Sequence, residues 1–306
     1  VFGESVRGSH WGLNGYERNT TPRLAKESGL VNFPDTLSFG TYTQVSAIGM
    51  MTPTTYRNPV PVGPSFVDFF VKHGFEGWSF TSSRPTSVQR KLTHSIENRV
   101  NRIGEAMDLL PFIDDALSRG KERRQFFYIY TEGNHFPYNR GYPPEFSRFQ
   151  PDDHGRWNLA AEQEKVINAY DNAIVYTDAF LSEIIGRLKG RRAVLIYVSD
   201  HGDALGEDGR YIRGGTMFDE YLRRVAFFVW ASPQYRVSRP EIMRSLDANA
   251  SIKVSHDHLF PTVMSLGGIS SPLIDAALDL TKGGVRPRDF EAQNGPPIGS
   301  VFHIDR

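Results

Sequence analysis

Short apolar runs rich in β-branched and aromatic residues recur along the chain and end in small or polar residues. They are VFGES (1–5), FEGWSF (75–80), QFFYIYTEGNH (125–135), AVLIYVSDHG (193–202) and VAFFVWAS (225–232). Runs of this length, bounded by turn residues, predict strands. Between them the apolar positions take helical spacing. The longest such stretch, from about Leu159 to Leu188, carries Ile167, Tyr170, Ile174, Leu181, Ile184 and Leu188 at steps of three, four or seven, one stripe down a helix. TPRLAKESG (21–29) predicts another helix, with Thr21 as N-cap, Pro22 at the first helical position and Gly29 past the end. PSFVDFFVKHG (64–74) repeats that plan with Ser65 and Gly74. Strands alternating with helices predict an α/β domain whose mostly parallel sheet is covered on both faces.

A chain of 306 residues suits one large α/β domain, and no internal repeat or low-complexity linker divides it. The proline-rich stretch 52–64 is short enough for a surface loop. After about Gly268 the pattern weakens, and 269–306 reads as an irregular surface tail. We therefore expect a single domain over 1–306. The chain opens on VFGES without methionine, which reads as the end of a strand belonging to a longer protein.

Composition narrows the function. Thirty-five basic residues balance 35 acidic ones and the basic doublets are isolated, so no field exists to hold a nucleic acid. With no cysteine, thiolate chemistry and cysteine-ligated zinc are excluded. No apolar run approaches the ~20 residues of a membrane span.

Three predicted strands end in polar clusters: Gly3-Glu4-Ser5, Gly133-Asn134-His135 and Ser199-Asp200-His201-Gly202-Asp203. In open α/β sheets the carboxyl ends of parallel strands form the ligand crevice, so these groups should converge on one edge. Oxygen and imidazole donors together suit zinc. Singly, each cluster reads equally as a hydrogen-bonded turn, a cap or a core histidine. SFGTYTQVS (38–46) adds Thr41 and Thr43 just before an apolar helix start. A hydroxyl there is either an N-cap or a nucleophile beside a cation.

The ordered segments GESVRGSHWGLNGYERNTTPRLAKE, SFGTYTQVS, GNHFPYNRGYPPEFSRF, NAYDNAIVYTDAFLSEII, VSDHGDALGEDGRY and SHDHLFPTVMSL closely resemble the periplasmic catalytic domain of phosphoethanolamine transferases, the lipid A modifying and colistin-resistance group, over roughly 1–268. The resemblance implies a three-layer α/β/α fold of the alkaline phosphatase and sulfatase type. It implies Glu4, Thr43, Asp200 and His201 as ligands of one tightly bound zinc, with Thr43 also the nucleophile and Thr41 shaping the turn. His135 matches a histidine near the phosphate and a second, weaker zinc. His10 matches another family histidine, suited either to substrate contact or to bonding within its loop, while Asn14 and Tyr16 read as structural. Asp203 stands where many relatives carry glutamate, near that second metal.

Two departures stand out. Arg213, in GRYIRG, replaces a family histidine; a guanidinium cannot ligate a cation but can clamp phosphate oxygens, which weakens or abolishes the second zinc site. Phe39 and Gly49 occupy positions where relatives place a disulfide, so packing must brace the nucleophile loop.

The implied reaction takes phosphoethanolamine from phosphatidylethanolamine onto Thr43 and passes it to a cell-envelope glycolipid or glycan, with His135 protonating the leaving oxygen or orienting the phosphate. It also implies an N-terminal transmembrane region outside this chain, holding the domain at the periplasmic face of the bacterial inner membrane. The rival readings are a phosphoglycerol transferase or sulfatase-like hydrolase on the same fold, and a metal-poor relative that binds envelope lipid or glycan without turnover.

Overall fold

The computed structural model describes residues 1–58, 63–120, 123–213 and 219–292. Seven strands form the central sheet: β1 (Phe2–Gly3), β2 (Leu30–Asn32), β4 (Glu76–Thr81), β5 (Asn98–Asn101), β6 (Gln125–Tyr130), β7 (Val194–Ser199) and β10 (Phe227–Ala231). Their order is β2-β10-β7-β1-β6-β4-β5. The pairs among β7, β1, β6, β4 and β5 are parallel, and β10 runs antiparallel to both neighbours. Two small ladders lie apart, β3 (Thr36–Leu37) with β11 (Val254–Ser255) and β8 (Ala204–Leu205) with β9 (Tyr211–Ile212).

The period-2 alternation of the strands splits the core into two. Trp78, Phe80, Ile129, Tyr197, Phe228 and Trp230 face one cluster, which α4 (Leu110–Arg119) and α5 (Gln163–Leu188) complete. Tyr128, Tyr130, Val198, Phe227 and Val229 face the other, beneath α1 (Thr43–Met51), α2 (Phe66–Lys72), α3 (Ser87–Leu92), α7 (Pro233–Ser238), α8 (Pro240–Asn249) and α9 (Leu259–Leu266), while α6 (Glu220–Arg223) is a single turn before β10. The molecule is thus helix, sheet, helix in layers, because strands buried on both sides need apolar residues at successive positions.

All five expected strand runs lie in this sheet, the long helix forms as read, and α2 starts at a Ser65 capping box. The expected helix over 21–29 does not form: only a 3-10 turn, Leu24–Lys26, is present. Its cause is the buried Asp178 of α5, whose carboxylate accepts the Arg23 and Leu24 N–H groups at 3.0 and 2.8 Å and caps one turn from outside. Gly29, at φ +84°, then turns the chain straight into β2. Beyond Gly268 the described segment is irregular apart from one 3-10 turn, and it buries Leu280, Val285 and Phe290. Phe290 stacks on Tyr56 with ring centroids 4.2 Å apart.

The Phe39 ring lies over Gly49, two residues before the end of α1, so closely that a Cβ on Gly49 would collide with Phe39 Cγ. This notch-and-ring contact braces the loop that leads to Thr43. Gly49→Ala should therefore destabilise the protein by about 1–3 kcal/mol through overpacking, although alanine is the better helix former by about 1 kcal/mol. Denaturant unfolding checks the sign; a stabilised variant would mean that the ring is free to move aside.

Candidate metal and nucleophile site

Gly3 and Ser199 are register partners at the ends of β1 and β7, so Glu4 and Asp200 leave the sheet side by side. The chain turns sharply at Ser5, a non-glycine residue at φ +59°. Its N–H donates to Asp200 Oδ1 at 3.0 Å, and the His201 N–H donates to the same oxygen at 2.8 Å. Asp200 is thereby oriented with Oδ2 left over. His201 is oriented similarly: Nδ1 donates to the Gly202 carbonyl at 2.8 Å, leaving Nε2 turned toward the carboxylates, where it is free to hold either a proton or a metal ion. Nε2 stands 3.4 Å from Glu4 Oε1 and 3.6 Å from Asp200 Oδ2.

Thr43 enters from another part of the chain. It is the first residue of α1, whose N-cap is Tyr42 and carries no side-chain cap bond, so Thr41 is not the cap. The Thr43 hydroxyl donates to Glu4 Oε2 at 3.3 Å, and Tyr130 OH donates to the same oxygen at 3.0 Å. At this position the unpaired N–H groups and positive dipole end of α1 lie beside the hydroxyl.

Glu4, Thr43, Asp200 and His201 are all buried, and one ligand atom each from Glu4, Asp200 and His201 lie within 4.8 Å of one another. Asp200 Oδ2 and His201 Nε2 are buried without a hydrogen-bond partner. Two orphaned atoms aimed at a common point, flanked by a carboxylate and a hydroxyl, fit a divalent cation. Oxygen and nitrogen donors in this number match zinc.

The charges carry the same message. Burial and the neighbouring Glu4 push Asp200 up to about 6. Burial works against a proton on His201, yet Asp200 and Glu4 outweigh it and raise the imidazole to about 10. Glu4 resists the upward push of burial because His201 and Arg213 hold it down at about 2. A proton on His201 thus balances the carboxylates where a cation would otherwise do so.

The remaining expected residues fall into two groups. Asp203 lies close by, 3.9 Å from His201 Nδ1, accepts from Tyr138 OH at 2.8 Å, and is pushed by burial to about 7. Arg213 donates from Nη1 to Glu4 Oε1 at 3.0 Å, and its Nη2 contacts His135 Nε2. His135 Nδ1 in turn lies 2.8 Å from the Phe136 carbonyl, so both ring nitrogens are engaged. His10 is tied elsewhere: its Nδ1 is 2.7 Å from Asp171 Oδ1, a buried carboxylate that also accepts from Tyr16 and Arg18. Sequence reasoning missed Tyr130 and Asp171. Tyr130 had a signal, since it closes the QFFYIY run on the same strand face as Tyr128, directly before a polar cluster.

The profile of the sulfatase family matches residues 1–269. Phosphoethanolamine transferase EptA of Salmonella typhimurium is 29% identical over 301 residues, which cover 92% of this chain and 54% of that protein. The chain spans about half the length of the curated relatives it matches. The C-terminal periplasmic domain of phosphoethanolamine transferase EptC from Campylobacter jejuni superposes with a TM-score of 0.85 at 25% identity, covering 94% of each chain. The soluble domain of lipooligosaccharide phosphoethanolamine transferase A from Neisseria meningitidis gives 0.83 at 27% identity, covering 94% of this chain and 92% of that one. With an alkaline phosphatase and sulfatase-like fold and the family profile over nearly its whole length, the chain belongs to the sulfatase family, and it is similar to the phosphoethanolamine transferases.

Proposed function

We propose that the domain transfers phosphoethanolamine from phosphatidylethanolamine to a cell-envelope acceptor, lipid A or another glycolipid or glycan, through a covalent intermediate on Thr43. The observation that carries this reading is the Thr43 hydroxyl, seated at a helix start and bonded to Glu4 inside the Glu4-Asp200-His201 cluster. Glu4, Thr43, Asp200 and His201 would hold one zinc ion, which supplies the positive charge that makes the hydroxyl a nucleophile at neutral pH. Thr43 Oγ1 gives up its proton and bonds to phosphorus; the bond from phosphorus to the diacylglycerol oxygen breaks, and that oxygen takes a proton. The acceptor oxygen then attacks the same phosphorus, the Thr43–phosphorus bond breaks, and the hydroxyl is restored.

Arg213 and His135 form the wall beside this centre. The guanidinium is a fixed cation already turned toward Glu4, and its remaining N–H groups suit phosphate oxygens. His135, with both nitrogens engaged, is better placed to hold Arg213 than to donate a proton. Because Arg213 takes Glu4 Oε1 and the His135 lone pair, purified protein should carry one tight zinc per chain. Two tight ions at this edge by metal analysis would refute that count.

Zinc affinity should rise steeply from pH 5 to pH 8. The ion-free site holds protons on Asp200, whose pKa is raised to about 6, and on His201, raised to about 10, and both must leave before zinc enters. Calorimetric titration in buffers of different ionisation enthalpy would register the released protons; a pH-independent affinity would rule out these ligands.

A lipid donor, and a lipid acceptor where that is lipid A or another glycolipid, put the proposed reaction at a membrane surface. No helix among the described residues is long and apolar enough to cross one. We place the domain on the periplasmic face of the bacterial inner membrane, held by a further region of the kind that the longer relatives have room for. The test is mass spectrometry of the zinc-loaded protein after incubation with phosphatidylethanolamine. A phosphoethanolamine adduct on Thr43 with release of diacylglycerol is expected; an adduct on another residue, or none, overturns the reading.

A further inference from the structure

The segment SHDHLFPTVMSL places His256, Asp257 and His258 in the 3-10 turn that opens α9. Each is buried, and each bonds to a different part of the chain. Asp257 accepts the Tyr56 N–H at 3.0 Å, and His258 Nε2 donates to the Arg286 carbonyl at 3.0 Å. These two tie down peripheral loops. His256 reaches the site instead.

Its Nδ1 lies 3.0 Å from the Phe39 main-chain nitrogen, and its Nε2 lies 3.0 Å from the Ser199 carbonyl oxygen. A main-chain N–H can only donate and a carbonyl can only accept. The ring is therefore the neutral tautomer with its proton on Nε2, and both nitrogens are used up. Burial supports this, pulling the imidazole down to about 3. Phe39 stands four residues before Thr43, and Ser199 directly precedes Asp200 and His201.

Other bonds of the nucleophile loop run elsewhere. Ser38 exchanges main-chain and guanidinium bonds with Arg223, Ser38 Oγ donates to Gly40 O, and Gly40 N–H donates to Ser46 Oγ of α1 itself. The His256 ring is thus a direct bridge between the main chain of this loop and the main chain at the end of β7.

We propose that His256 is a positioning residue for the transfer: by spanning Phe39 N–H and Ser199 C=O with one rigid ring, it sets the distance between Thr43 and the Asp200-His201 ligand pair. The proposal deepens the function given above and rests on it. Thr43 and the two ligands come from segments far apart in sequence; the Thr43–Glu4 bond and the β1–β7 register join them at the side chains, and the His256 ring joins their main chains. Groups that orient ligands and nucleophiles from outside typically contribute about 10- to 100-fold in metal affinity or activity.

Three variants divide the two ends of the bridge. His256→Asn keeps an acceptor near Nδ1, His256→Gln keeps a donor near Nε2, and His256→Phe fills the space with neither. Zinc affinity is measured by titration of the metal alone, and kcat and KM with phosphatidylethanolamine vesicles. His256→Phe should bind zinc about 10- to 100-fold more weakly and, loaded with zinc, lose about 100-fold in kcat at unchanged KM. The Asn and Gln variants should each recover part of both losses. Should His256→Phe not fold, the Asn and Gln variants still fall below the wild type in both readouts. Unchanged zinc affinity and kcat in all variants that fold, with only a lowered melting temperature, would overturn the proposal and leave His256 a packing residue. A wild-type protein that binds zinc but transfers nothing would instead overturn the proposed function, and the zinc titrations would still decide the role of His256.

Discussion

Thr43→Ala should abolish the covalent intermediate and lower transfer by at least about 10⁴-fold, while the fold persists and zinc, held by Glu4, Asp200 and His201, binds more weakly. The size follows from what is removed. Without the hydroxyl there is no oxygen at the start of α1 to take up the phosphoryl group, and positioning of the lipid alone cannot replace a nucleophile. The fold should tolerate the change because the partner that loses a bond is not left empty: Glu4 Oε2 keeps the Tyr130 hydroxyl, and Oε1 keeps Ser5 and Arg213. The cost in stability should stay near the worth of one hydrogen bond, about 1 kcal/mol. Thr43→Ser is the control, since it retains an oxygen at the same place and should still form the adduct. Intact-mass spectrometry with phosphatidylethanolamine separates the outcomes. An adduct that survives in Thr43→Ala would assign the chemistry to another residue.

How far this site could be read in advance depends on which physical signal each part of it leaves. The strand-end clusters were legible because β1, β6 and β7 are parallel, and parallel strands must deliver their carboxyl ends to one edge. Glu4, Asp200 and His201 therefore meet as expected, and Thr43 joins them through the helix that the small and apolar residues after Gly40 promise. The short strands β2 and β5 left almost no trace, since three or four residues of mixed polarity at the sheet edges carry too little pattern. TPRLAKESG has every local mark of a helix, and a carboxylate from α5 overrides it. Long-range polar pairing was the least visible level. That Arg213 would lie against Glu4, 209 residues earlier, or that His256 would span Phe39 and Ser199, is set by side-chain directions at the end of loops, where no periodicity exists.

Asp200→Asn should remove zinc binding and the stability that zinc confers. In the wild-type protein, free zinc at a thousandfold excess over its Kd adds about 4 kcal/mol to the folded state, read as a rise in melting temperature. In the variant that rise should vanish. The substitution keeps the shape, so Oδ1 can still accept the Ser5 and His201 N–H groups that hold the turn together. What changes is the orphaned atom: with the amide oxygen kept at Oδ1 by those two donors, the Oδ2 position becomes an NH2 group aimed at the ion, which cannot replace a carboxylate in a buried site. His201 should also lose protonation strength, because Asp200 is the foremost of the charges raising its pKa. Measured together, the two variants separate the functions of one cluster. Thr43→Ala, with three ligands left, should keep a reduced zinc-induced rise and lose transfer, whereas Asp200→Asn should lose both. An Asp200→Asn protein that still gains stability with zinc would show that the ion binds elsewhere, and the orphaned pair of Asp200 Oδ2 and His201 Nε2 would then have to be explained as a buried ion pair sharing a proton.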